Sequence, residues 1–444
     1  MRMRILYRMV LVVMTLNVCF IGPAYAQLNS QFGDILKEIL DVRLRRSIGV
    51  HGTHFLLSAA EANQQLTPAL NSLISSNIAS FPLSSTAAAV SFDFSSGAPV
   101  SVLESLGPIF SEDAETIGKG RVSLGVNYSY LDLSRFRGLP TENMRFTFTH
   151  QDITGDSTLG DNPTEDDYIN LVMGMQLKVS LFVIYGSIGI TDNLEVGVAL
   201  PITNVSLSGD AVATINSFTF SHLGAAYHQF GQDSLHPVLV THVPYSQAAT
   251  GLGDIALRIK YAFPRGHGLD FAALGDVRLP TGKTDDYMGT GQTSFRVLGI
   301  ISKKFSDFTP HLNLGYEYRS AEFESSRMEF RLGFDDKMLS GFTFVCDFLG
   351  TVDLQTSKAI HLFPGTKTIT ENVFTPSFGT GSYMQKIDLS NIPDRSNDNS
   401  FSLSVGFKYA PSDRVIVIGN VIAPLNDGGL RADIAPTIGL NVSF

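Results

Sequence analysis

The chain of 444 residues holds ten histidines, and four of them, His222, His228, His236 and His242, fall in one stretch. Imidazoles ligate zinc-like ions when close spacing on an ordered element brings them together. Here they are six to eight residues apart with no thiolate nearby, so the stretch reads as a polar loop and no metal site is expected. Asp152, Asp156, Asp161, Glu165, Asp166 and Asp167 form an acidic run. It lacks the regular oxygen-ligand spacing of a calcium loop and reads as a solvated surface loop. His311 precedes a strand and serines abound, yet no serine stands in a nucleophile setting. No catalytic residue, enzyme activity or cofactor is therefore expected. Arg258, Lys260, Arg278, Glu317, Arg319, Glu329, Arg331 and Lys408 carry more information, because each alternates with apolar neighbours. On strands of a closed barrel all eight point inward. They then either pair across the lumen or line a passage and set its limits of size and polarity, and both readings stay open.

The elements that would position these charges have a period of two. Val122, Leu124, Val126, Tyr128 and Tyr130 alternate with polar or small residues, as do Ile255, Leu257, Ile259, Tyr261 and Phe263. Leu312 to Tyr318, Met328 to Phe334 and Phe401 to Tyr409 repeat the pattern. This is the apolar-out, polar-in dyad of a membrane barrel, although a soluble sandwich shares the period. Three features favour the barrel. Many strands run ten to fourteen residues, closer to the roughly 9–11 of a tilted membrane strand than to the usual five or six. Tyr and Phe gather at strand ends, and short turns alternate with long connections at 209–250, 281–290, 353–398 and 425–431. Thirteen strands are expected, near 120–133, 142–151, 172–190, 194–207, 252–263, 268–280, 292–304, 309–320, 325–335, 340–352, 400–410, 413–424 and 432–444. An odd number conflicts with both termini on one side; a strand within Ala87 to Phe94 would make fourteen, and losing a weak one twelve. The fold class is thus all-β, a transmembrane antiparallel barrel of about 12–14 strands with an N-terminal helical segment.

Composition agrees. Charged residues are 17%, Gly 40, Phe 31 and Tyr 14, with mean hydropathy +0.12. The most apolar window, Leu171 to Ile190, contains Lys178 and three glycines and alternates as Leu177, Val179, Leu181, Val183 and Tyr185, so it reads as strand. Residues 1–26 read as an export signal: Arg2, Arg4 and Arg8, an apolar run Met9 to Ile21, then Ala24-Tyr25-Ala26, with cleavage expected after Ala26. Cys19 lacks the small residue that lipid attachment wants ahead of it. Without the three arginines the mature chain has 29 Lys+Arg against 42 Asp+Glu, a net of −13, which argues against nucleic acid. Only Cys346 then remains, and no internal disulfide. Residues 27–85 carry helical spacing at Phe32, Ile35, Leu36, Ile39 and Leu40, and again at Leu66, Leu70, Leu73 and Ile74. They are expected to be a plug or a periplasmic extension, with the barrel over 86–444. The last strand places Ile438, Leu440, Val442 and Phe444 on one face, resembling the signal by which the barrel-assembly machinery recognises its clients.

Several motifs resemble the outer-membrane transporter family of the MetA pathway of phenol degradation. They are Gly107-Pro-Ile-Phe, Thr116-Ile-Gly-Lys-Gly-Arg, the stretch Tyr185 to Pro201, Gly251-Leu-Gly-Asp-Ile-Ala-Leu-Arg-Ile-Lys-Tyr, Arg278-Leu-Pro-Thr-Gly-Lys and Gly289-Thr-Gly. The resemblance spans about 105–444 and leaves out the helical stretches. It implies a passive channel in the outer membrane of a Gram-negative-type bacterium for small hydrophobic or aromatic molecules. The partners expected are outer-membrane lipid and lipopolysaccharide, the assembly machinery and those solutes. The alternative is a non-conducting barrel that displays its loops.

Overall fold

The computed structural model describes residues 27–44, 50–79, 81–82, 91–93, 100–102, 106–264, 268–319, 325–355, 361–375, 379–412 and 414–443. The expected leader and Phe444 lie outside them. Twelve strands close a barrel: β1 (Val122–Asp132), β4 (Gln176–Gly189), β5 (Leu194–Asn216), β7 (Ile255–Ala262), β8 (Asp270–Leu279), β9 (Ser294–Ser302), β10 (Phe308–Tyr318), β11 (Arg327–Leu339), β12 (Phe342–Asp353), β15 (Ser400–Ser412), β16 (Val415–Pro424) and β17 (Ala435–Ser443). Each pairs antiparallel with the next, and β17 returns to β1 through partners such as Ile438 and Tyr128. Closure pairs every backbone group in the wall, which hydrocarbon demands.

Five strands of six residues or more stand outside this ring among the described residues. β2 (Met144–Thr149) pairs with β3 (Tyr168–Met173), which pairs with the upper end of β5. β6 (Val240–Leu252) lies along the other edge of β5 and leads into β7 past Gly253 and Asp254, where the register against β5 slips by one residue. β13 (Thr366–Thr375) and β14 (Gly379–Asp388) form a hairpin within the long connection after β12. The odd strand count therefore resolves to twelve, because the strand expected at 142–151 leaves the wall, and the short strand Ser91–Asp93 pairs only with Val100–Val102. The region 209–250 is not one loop, since β5 continues to Asn216 and β6 begins at Val240. The strand expected at 325–335 runs on to Leu339, so the turn to the next falls at Ser340 and Gly341.

The twenty-three residues of β5 exceed the roughly 9–11 needed to cross a bilayer. Its side chains mark where the surroundings change. Val196, Val198, Leu200 and Ile202 face outward, but the next outward positions are Asn204, Ser206, Ser208 and Asp210. Inward positions change in the opposite sense, from Glu195 and Thr203 to Val205, Leu207, Ala211, Ala213 and Ile215. β4 inverts at the same level, with Ile184 and Phe182 outward below Ser180 and Lys178, and Phe182 is paired with Ile202. A dyad that is apolar outside and then apolar inside is a wall leaving hydrocarbon for water. The stretch expected as strand from its alternation is β4, and its row Leu177, Val179, Leu181 and Val183 points into the barrel. Elsewhere the expected orientation holds: Ser123, Asn127 and Ser129 are buried inside, while Leu257, Ile259, Leu314 and Leu332 are exposed outside. Aromatic side chains ring both margins, with Tyr261, Phe263, Phe271, Phe305, Phe407 and Tyr409 at the short-turn end and Tyr128, Phe295, Tyr316 and Tyr318 at the loop end.

The apolar inner face of the upper wall receives the N-terminal helices. α1 (Gln31–Lys37) runs on in wider turns through Arg43, and α2 (Leu56–Ala79) carries Pro68 in its interior. Phe32, Ile35, Leu36, Ile39, Leu40, Leu66, Leu70 and Ile74 share one buried cluster with Phe146, Leu171, Leu207 and Ile215. Each such side chain contributes roughly 1.5–3 kcal/mol. Polar contacts fix the depth. Asn29 donates to Asp285 at 3.0 Å, Arg43 to the His242 carbonyl at 3.1 Å, and Arg319 to the Ser76 hydroxyl at 2.7 Å.

Candidate functional site: the charged lumen and the segment that threads it

Ahead of β1 in sequence, residues 106–120 cross the lumen from Thr343 and Lys408, near the short β11–β12 turn, to the short turn between β4 and β5. Leu106 takes a hydrogen bond from Lys408 at 2.9 Å, and its own N–H donates to Thr343 at 3.1 Å. Arg331 donates to the Phe110 carbonyl, and Ser111 donates to Asp347 at 2.8 Å. Asn313 brackets Glu112, accepting from its N–H and donating to its carbonyl, both at 2.7 Å. The Ala114 N–H donates to Ser302 at 3.1 Å and the Ile117 N–H to Glu195 at 3.1 Å. Thr116 and Lys119 then engage Asp192 in the short turn between β4 and β5. A backbone without regular structure needs such partners when water is displaced, and alternate polar side chains of the wall supply them.

All eight charged residues expected inside point inward, and seven are held by partners. Arg258 and Lys260 meet Glu112 of the threading segment at 3.0 and 3.1 Å, and Lys260 also meets Asp113 at 3.3 Å. Arg258 shares Asp276 with Arg296, at 3.2 and 2.8 Å. Glu329 joins Arg296 at 3.4 Å and Arg331 at 3.0 Å, and Glu317 joins Arg319 at 2.9 Å. Among the described residues Arg278 has no hydrogen-bonded partner; it lies two positions along β8 from Asp276. Two wall cations are thus neutralised in part by the threading segment: Lys260 by Glu112 and Asp113, and Arg258 by Glu112 beside the wall's Asp276. Asp276, Arg296, Asp335 and Asp347 belong to the network too, and alternation marks each as inward-facing. What sequence alone conceals is Glu112 and Asp113, because nothing in a period of two assigns an irregular stretch to the lumen.

The remaining candidates scatter. His311 on β10 is buried between Asp347, at 2.6 Å from Nε2, and Asp335, at 3.5 Å from Nδ1. The acidic run folds on itself: Asp152 accepts from the N–H groups of Gly155 and Ser157 at 2.6 and 2.7 Å, and Glu165 accepts from Ile153 at 2.7 Å. Those N–H groups, Gly155 foremost, hold the exposed Asp152 carboxyl below its usual range. His222 stacks on Phe218, His236 pairs with Asp233, and His242, which sits on β6, pairs with Asp210. His228 is separate from these three and lies in the interior.

Comparison with solved structures returns barrels of low similarity. The COG4313 outer membrane channel from Pseudomonas putida F1 aligns at 10% identity over 75% of this chain and 98% of its own, with a TM-score of 0.38. The CymD monoaromatic hydrocarbon channel aligns at 12% over 74% and 89%, TM-score 0.34. The Ralstonia pickettii toluene transporter TbuX aligns at 10% over 83% and 98%, TM-score 0.27. No curated protein matches the sequence. The family profile is decisive, because it aligns with residues 174–429, from β4 through the connection after β16. By that match, over more than half of its length, the chain belongs to the family described as "Putative MetA-pathway of phenol degradation".

Proposed function

We propose that the protein is an outer-membrane channel through which small apolar or aromatic molecules cross passively, with residues 28–79 and 106–120 as its internal closure. The observation that carries this reading is the threading segment. A barrel built only to anchor loops needs no removable strand of chain whose carboxylates neutralise its wall, whereas a regulated passage does. Displacing residues 106–120 bares Arg258 and Lys260 and opens a path framed by charges of both signs. The narrow bore of a twelve-stranded barrel favours small solutes. The family's name joins it to phenol degradation, and aromatic solutes of that size suit such a path.

The outer-membrane location rests on the apolar belt between its two aromatic margins, and lipid is the partner of that belt. A second reading, a closed barrel that only displays its outer loops, is favoured by the same filled lumen. Uptake separates them. Vesicles containing the full chain should take up a small aromatic such as phenol faster than protein-free vesicles and faster than they take up a disaccharide. Equal rates with and without protein would leave the closed barrel standing.

A further inference from the structure

His228 meets two other histidines from distant parts of the chain. His54 belongs to the turn entering α2, and His150 follows β2. One ring nitrogen from each of the three lies within 4.8 Å of the others. His54 Nδ1 stands 2.8 Å from His150 Nε2, and the ring centres of His150 and His228 are 5.0 Å apart. His150 and His228 are buried and His54 is half-buried, so the cluster is closed on the inside and approached past His54. Phe55 covers it with its ring 5.4 Å from His150 and 5.2 Å from His228.

We infer that His54, His150 and His228 form a binding site for one divalent transition ion of the zinc class, which pins the N-terminal helices to the outer loops. Two details beyond proximity support it. The outer nitrogens are fixed as they are at metal centres: His228 Nδ1 bonds the fully buried Asp167 carboxylate at 2.7 Å, and His150 Nδ1 bonds the Gln151 carbonyl at 2.5 Å. Such partners set the tautomer and present the other nitrogen to the ion. The three Nδ1 or Nε2 atoms would need to sit roughly 3.3 Å apart around a tetrahedral ion with bonds of about 2.0–2.1 Å. Reaching that from separations of 2.8 Å to at most 4.8 Å changes each distance by no more than about 1.5 Å. The second detail is charge. Asp167 is a buried carboxylate whose polar partners are His228, Ser217 and Thr219, and Glu165 and Asp166 are buried next to it in sequence, so a cation is electrostatically welcome. Three imidazoles leave a fourth position for water or a small ligand. The Gln151 N–H also donates to the His54 carbonyl at 3.0 Å, which keeps the two segments in register for ligation.

The test uses the full chain, purified without a histidine tag, stripped with chelator and titrated with Zn2+ and with Co2+. One ion per folded chain is expected, with Co2+ giving the strong visible absorption of a tetrahedral site. His228→Ala and His54→Ala should each abolish that absorption, and Asp167→Asn should weaken affinity by about 10–100-fold. His236→Ala, an exposed residue of the same loop, should change nothing. Every variant is scored on material that still migrates as a heat-modifiable barrel; His54 lies outside the wall, so its variant reports on ligation even where a loop variant fails to fold. Less than one ion per wild-type chain, or binding unaltered in His54→Ala, overturns the site.

Discussion

Replacing Glu112 with alanine is expected to destabilise the folded barrel by about 3–5 kcal/mol, the range for removing one member of a buried ion pair. Glu112 is 2% exposed and faces Arg258 at 3.0 Å and Lys260 at 3.1 Å. Its loss leaves Lys260 with Asp113 and its cross-strand neighbour Glu195, and Arg258 with an already shared Asp276. The cost lies in the stranded cations, so it should be recoverable by removing one of them. Lys260→Met combined with Glu112→Ala should restore most of the stability, since an apolar replacement of similar volume needs no partner. Denaturant midpoints on folded protein measure both variants. A loss under about 1 kcal/mol in Glu112→Ala would mean that pairing does not hold the segment in the lumen.

The second large effect depends on level rather than on exposure. Leu314 on β10 and Ser246 on β6 both point outward, yet one lies between the aromatic margins and the other beside the polar row Ser206 to Asp210. Leu314→Arg should cost about 2–4 kcal/mol, the price of a cation at the bilayer midplane. Ser246→Arg, in water by the inversion argument, should stay within about 0.5 kcal/mol of the parent. Both are read from folding equilibria in vesicles. Similar costs at the two positions would contradict the boundary drawn between Ile202 and Asn204.

Sequence periodicity reaches the wall of this fold and stops at its interior. All twelve wall strands are legible because each crosses hydrocarbon on one side, so Leu257, Ile259 and Leu314 alternate cleanly with Lys260 and Asn313. β5 is legible only as far as the membrane extends. Beyond Thr203 the polar and apolar faces exchange places, a change that leaves the period at two while reversing its meaning. Leu177 and Val179 on β4 were ambiguous for that reason. The eight inward charges are legible as inward, because a strand has only two faces. Their partners in residues 106–120 are not, since an extended stretch with Pro108 and three glycines has no period. Nor is the meeting of His54, His150 and His228, whose 96- and 78-residue separations place no constraint on distance until the chain is folded.

On the proposed function this barrel conducts, and its own N-terminal chain restrains it. The direct measurement is single-channel recording in planar bilayers on the full chain and on a variant lacking residues 28–79, both shown to be heat-modifiable. The full chain should give small, infrequent openings. The variant should open more often and to higher conductance, because the helices that fill the upper interior are then absent. Closed traces from both proteins, with neither speeding the passage of a small aromatic into vesicles, would contradict the account and leave a barrel whose filled lumen is structural.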